Sequence, residues 1–70
     1  MARFKVNQRD FIRILKTAGF IQTSQRGSHQ YWEKPRYKVT VDVKYDEYSG
    51  WLLKKMIEQS GLSKQTFKKD

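Results

Sequence analysis

The 70-residue chain predicts an α+β domain of order α-β-β-β-α, a three-stranded antiparallel sheet with two helices on one face. Three observations predict it. Helical apolar spacing at 8–18, and again from Ser49 to about Ser60, brackets a stretch of strand-like patterning from Phe20 to Val43. Short turn signals within that stretch, Gln25-Arg26-Gly27 and Lys34-Pro35-Arg36, join the strands as a meander. No linker, repeat or low-complexity segment divides the chain, so residues 1–70 read as one domain with a thin two-layer core.

Met1 to Val6, with Arg3 and Lys5, reads as a loose lead-in. Asn7 is a good N-cap, Asp10 suits the positive end of the helix dipole, and Val6 and Phe11 have the spacing of a hydrophobic staple. Phe11, Ile12, Leu15 and Ala18 then share one helical face, away from Arg9, Arg13, Lys16 and Thr17. Gly19 sits where a left-handed C-cap residue belongs, with Phe20 folding back on Leu15.

Phe20 to Ser24 is a short strand, and Gly27 needs a positive φ in the turn after it. Ser28 to Glu33 is the second strand. Tyr37 to Val43 is the third, with Tyr37, Val39, Val41 and Val43 toward the core and Lys38, Thr40, Asp42 and Lys44 away from it. Lys44 to Tyr48 reads as a polar loop. Ser49 caps the second helix, which buries Leu52, Leu53, Met56 and Ile57, and Gly61-Leu62 repeats the terminator at Gly19-Phe20. Ser63 caps a last turn that sets Phe67 on the body before a charged tail.

Fifteen Lys and Arg oppose seven Asp and Glu, a formal charge of +8. Such charge on a small body attracts polyanions, nucleic acid above all, although a solvated surface, membrane affinity or an acidic protein partner also fit. There is no cysteine, hence no disulfide framework or thiolate metal site, and one histidine argues against a transition-metal site. No metal or other cofactor is called for. With no apolar run of membrane-spanning length and no signal-peptide core, the expected home is the cytoplasm.

The double-stranded RNA-binding domain is similar in its α-β-β-β-α order, which favours RNA among polyanions. Lys16-Thr17-Ala18-Gly19-Phe20, then Gly27-Ser28-His29 opening a strand, then Leu52-Leu53 to Gly61-Leu62-Ser63, resemble the HicA family from about Val6 to Phe67. HicA proteins are toxins of bacterial toxin–antitoxin pairs that cut mRNA. The resemblance implies His29 as the catalytic residue, Gly27 as the turn that presents it, and a HicB-type antitoxin, acidic at its contact, that covers the site. Where the family often has Pro-x-His, this chain reads Asp42-Val43-Lys44.

The chemistry also follows from the residues. RNA supplies its own nucleophile, the 2′-hydroxyl, so a protein need only remove that proton and stabilise charge on the phosphate. An imidazole, with an ordinary pKa of about 6.5, is the natural base near neutrality. Positive charge from Arg26 and Lys44 favours its neutral form, and Arg26, Lys38, Lys44 and Lys16 are the candidate RNA contacts. Ser28 is at most an orienter. Tyr31, Trp32, Tyr37 and Tyr45 read either as packing residues or as platforms for unpaired bases. The Lys54-Lys55 pair and Lys64, Lys68 and Lys69 read either as contacts or as solubilising charge. Two alternatives stand beside the ribonuclease: a non-catalytic RNA-binding module of the same fold, and a DNA-binding domain that lays its sheet in the major groove.

Overall fold

The first helix boundary is set as the local sequence requires: Asn7 Oδ1 accepts the Asp10 amide at 2.8 Å, the N-cap bond that satisfies one orphan donor of the first turn. The computed structural model describes residues 4–68. Residues 1–3 of the expected lead-in, Arg3 among them, and Lys69 of the charged tail lie outside the described residues. Strand β1 (Lys5–Asn7) runs into helix α1 (Gln8–Thr17). Strands β2 (Ile21–Arg26), β3 (His29–Lys34), β4 (Tyr37–Asp42) and β5 (Glu47–Ser49) follow, then helices α2 (Gly50–Ser60) and α3 (Lys64–Phe67). The expected α-β-β-β-α order is present between α1 and α2, followed by the expected last turn as α3 and joined by two added short strands, β1 and β5.

At the end of α1, Gly19 takes a φ of 98°. The Gly19 and Phe20 amides return to the Lys16 and Leu15 carbonyls at 3.0 and 2.9 Å. This is the Schellman arrangement expected from Gly19-Phe20. Strands β2, β3 and β4 form the antiparallel meander, joined by two-residue turns at Gly27-Ser28 and Pro35-Arg36. Gly27 has the expected positive φ, 59°; so has Arg36, at 76°, a position where glycine is usual after proline.

Alternation along the strands divides the sheet into two faces. Trp32, Val39 and Val41 are buried and join Phe11 and Leu15 of α1 and Leu53, Met56 and Ile57 of α2 in one core. Both helices thus bury their apolar residues against this inner face. Helix α2 also guards the free edge of β4, where Gln59 Oε1 accepts the Thr40 amide at 3.2 Å. Phe67 of α3 stacks on Phe11 with ring centroids 4.7 Å apart, as the last-turn reading expects.

Four expectations are corrected. Tyr37 is 41% exposed, because its ring lies at the rim against Gly61, where a β-carbon would collide with it. Leu52 is 37% exposed, since helical rotation turns it past the stripe formed by Leu53, Met56 and Ile57. The described part of the lead-in is a strand: β1 pairs antiparallel with β5, Val6 opposite Tyr48. Lys44 to Tyr48 therefore ends in a strand, and Tyr48 is a core residue, edge-on to Phe11 at 5.7 Å. Three-residue strands that bury one side chain each are too short to display alternation. Among the described residues no helix is long and apolar enough to cross a membrane.

Candidate active site

The two-residue turn at Gly27-Ser28 closes on the pair Arg26 and His29. Positive φ at Gly27 followed by a non-glycine residue without it suits a type II′ hairpin, whose twist matches that of the strands. The Ser28 carbonyl accepts the Val43 amide at 2.8 Å, which ties the turn to the end of β4. Because Trp32 points inward, His29 and Tyr31 point outward, and the β3–β4 register sets His29 directly opposite Asp42.

His29 Nε2 stands 3.5 Å from Asp42 Oδ2, with the imidazole about half exposed and the carboxylate largely covered. The separation is an ion-pair distance, somewhat longer than a tight hydrogen bond. Asp42 is itself held on several sides. The Lys44 amide donates to Oδ1 at 3.2 Å, Lys44 Nζ lies 4.0 Å from Oδ2, and the Ser28 side chain is near enough to favour the ionised carboxylate. Desolvation pushes the Asp42 carboxyl up, but the Ser28 side chain, the Lys44 amide and the charges of His29 and Lys44 outweigh it and hold it below the usual aspartate value. Ser28 therefore bears on the carboxylate and not directly on the imidazole.

The loop that carries Lys44 and Tyr45 is fastened from below. Gln8 Nε2 donates to the Val43 and Tyr45 carbonyls at 2.9 and 2.8 Å, and the Gln8 amide donates to the Asp46 carbonyl at 2.7 Å. Tyr48 adds a bond from its hydroxyl to the Asp42 carbonyl at 2.8 Å. With this loop on one side and α2 on the other, His29 and Asp42 share an open groove of about 430 Å³ with Thr40, Tyr45, Trp51 and Lys55.

Of the cations expected at the site, Arg26 and Lys38 share the outer face with Tyr31 around a second shallow depression, and Lys38 Nζ is 5.0 Å from the Tyr31 ring centroid. Lys44 stands beside Asp42. Lys16 is not brought to this face. It sits on α1 with its Nζ 5.9 Å from the ring centroid of Trp32, on the inner side of the sheet. The expected all-cationic setting of His29 therefore includes a carboxylate, Asp42, that sequence reasoning left without a role. Among the described residues no group of three or more His, Asp or Glu is placed to hold a metal ion. An imidazole set against a fixed carboxylate, open to solvent and ringed by lysine and arginine, is equipped to exchange a proton with an anionic ligand in the groove.

A family model described as HicA toxin of bacterial toxin-antitoxin matches residues 8–62. Comparisons with curated proteins and with solved structures give no match.

Proposed function

The chain belongs to the HicA toxin family of bacterial toxin–antitoxin systems, and on that premise we propose that it is a metal-independent endoribonuclease that cleaves mRNA in the cytoplasm with His29 as general base. The observation that carries the reading is the His29–Asp42 pair at 3.5 Å on an exposed basic face. With Nε2 facing the Asp42 carboxylate, the tautomer protonated at Nε2 is favoured and Nδ1 is the basic nitrogen. It takes the 2′-hydroxyl proton, the 2′-oxygen attacks the adjacent phosphorus, and the bond from phosphorus to the 5′-oxygen breaks. Water, or a nearby Lys or Tyr, protonates the leaving 5′-oxygen, so the products are a 2′,3′-cyclic phosphate and a 5′-hydroxyl. Asp42 fixes the tautomer and orientation of the ring, while Arg26, Lys38 and Lys44 hold phosphates and offset the charge that develops. Gly27 and Ser28 shape the turn that presents the base.

The test is cleavage of RNA in EDTA by the wild-type chain and by His29→Ala. Wild type is expected to cut, to leave cyclic phosphate ends and to spare a substrate with a single 2′-deoxynucleotide at the scissile position. His29→Ala is expected to bind RNA without cutting it; equal cutting by the variant rules the assignment out. A free ribonuclease endangers its host, and this outer face is basic, so the partner we propose is a HicB-type antitoxin with an acidic surface that covers His29. Co-expression with the neighbouring reading frame tests that, and failure of any partner to co-purify counts against it.

A further inference from the structure

Trp51 is the most exposed large apolar side chain among the described residues, at 73%. It lies in the first turn of α2, whose core positions are taken by Leu53, Met56 and Ile57, so packing of the fold does not account for it. Its neighbours suggest what does. Trp51 lines the groove that holds His29 and Asp42, with Tyr45 also in the lining. Each of these aromatic rings carries a lysine: Lys55 Nζ is 5.1 Å from the Trp51 centroid and Lys44 Nζ is 5.2 Å from that of Tyr45.

We propose that this groove is the seat of one unpaired nucleobase of a single-stranded RNA, stacked on Trp51 and placed beside His29. The proposal rests on the ribonuclease reading for the identity of the ligand and adds to it the form of RNA that is taken. Paired aromatic and cationic side chains along a groove are what single-stranded nucleic acid requires, since every base has a π-face and every nucleotide a phosphate. A duplex keeps its bases stacked on one another and has none to offer. Gln59 adds a polar contact in the groove. Its Oε1 faces the Thr40 amide, a donor, which turns the NH2 end of the side chain away to meet a base edge. The carboxylate in the groove, Asp42, is engaged by Ser28, Lys44 and His29 and so repels an incoming phosphate less than a bare anion does. Charge complementarity therefore favours an RNA strand over an apolar protein segment.

Trp51 is also the reporter that tests this, because the only other tryptophan, Trp32, is buried with its Nε1 donating to Gln30 at 3.1 Å. Full-length His29→Ala protein is titrated with a single-stranded RNA oligonucleotide and with the same sequence as a blunt duplex. Tryptophan emission is expected to be quenched by the single strand at lower concentration than by the duplex. Adding Trp51→Ala is expected to weaken single-strand binding by roughly 10- to 100-fold and leave duplex binding unchanged, with Trp51→Phe restoring most of the loss. Because Trp51 is exposed, circular dichroism of both variants should match that of the parent.

Equal single-strand affinity in Trp51→Ala, or a preference for the duplex, overturns the proposal. So does quenching by an acidic antitoxin but not by RNA, which makes the groove a protein interface. The two readings fail separately. If Trp51→Ala in the otherwise wild-type chain cuts single-stranded RNA at the wild-type rate, the base site is wrong and the ribonuclease stands. If Trp51 is quenched by the single strand as expected but wild type cuts no RNA, the base site stands and the nuclease does not.

Discussion

His29 and Asp42 face each other across the β3–β4 ladder, Nε2 3.5 Å from Oδ2, and the other carboxylate oxygen is anchored by the Lys44 amide. An imidazole on an open surface otherwise rotates and exchanges tautomers freely, and the facing carboxylate is the group placed to limit this. On the proposed ribonuclease reading Asp42 is a positioning residue. Asp42→Asn should lower kcat by about 10- to 100-fold while KM for RNA stays within about twofold, the pattern of a lost transition-state interaction. Nitrogen NMR of the His29 ring should show mainly the Nε2–H tautomer in wild type and a mixture in the variant. An unchanged tautomer would leave Asp42 with a purely structural part.

The same carboxylate has a consequence for stability in acid. Desolvation acts to raise its pKa, but the Ser28 side chain and the Lys44 amide, with the charges of His29 and Lys44, bring it below the ordinary value of 3.8. A depressed aspartate stabilises the fold above its unfolded pKa, and that contribution is lost as pH falls through the folded one. Wild type should therefore be more stable than Asp42→Asn at neutral pH, with the gap closing only below pH 3.8. Denaturant melts of both proteins across the acid range measure it, and a pH-independent gap would contradict it.

Charge placement separates the four cations first nominated as RNA contacts. Arg26 and Lys38 flank Tyr31 on the outer face, whereas Lys16 lies over Trp32 on the other. Arg26→Ala and Lys38→Ala should each weaken RNA binding and reduce the slope of log affinity against log salt by about one. Lys16→Ala should leave the slope unchanged. Binding titrations at several salt concentrations decide it, and an equal effect of Lys16→Ala would mean that RNA reaches around to the helical side.

Which parts of this were legible in the sequence follows from how local their causes are. The caps of α1 are set by Asn7, Gly19 and Phe20 within a few residues of the helix they bound, and were readable as such. His29 is singled out in the sequence by its Gly27-Ser28 turn and by the family resemblance. Strand alternation puts Asp42 on the outward face, and its pairing with His29 follows only from counting across a two-residue turn at Pro35-Arg36, which sets position 42 opposite 29. That count needed the turn length, and Arg36 in a left-handed conformation gave no glycine to announce it. The β1–β5 pair and the groove shared by Trp51 and His29 bring together residues about 20 to 45 positions apart, and no local pattern encodes such proximity. Lys16 was drawn into the site by charge alone, and charge carries no direction.

Tyr48 ties the added strand pair to the site, and its phenol gives that tie a signature in alkali. The side chain is buried, and its hydroxyl donates to the Asp42 carbonyl at 2.8 Å. Burial pushes the phenol up to about 12 from its usual 10.0, with the Gln8 side chain opposing and the charge of Asp42 adding to the rise. A raised pKa favours the protonated form in the fold, so this contribution is intact below the unfolded value near 10 and is lost as pH rises toward 12. The two-unit difference corresponds to about 2 to 3 kcal/mol across that window. Tyr48→Phe removes the titration and one hydrogen bond, at a cost of about 1 kcal/mol near neutrality. Denaturant melts should therefore show wild type the more stable protein at pH 7, with the curves converging and crossing as pH passes 10. Absorbance titration near 295 nm should show a tyrosine ionisation near pH 12 that is absent in Tyr48→Phe. If the curves stay parallel into alkali, the phenol is not held protonated by the fold, and the tie between β5 and the strand that carries Asp42 is weaker than this geometry requires.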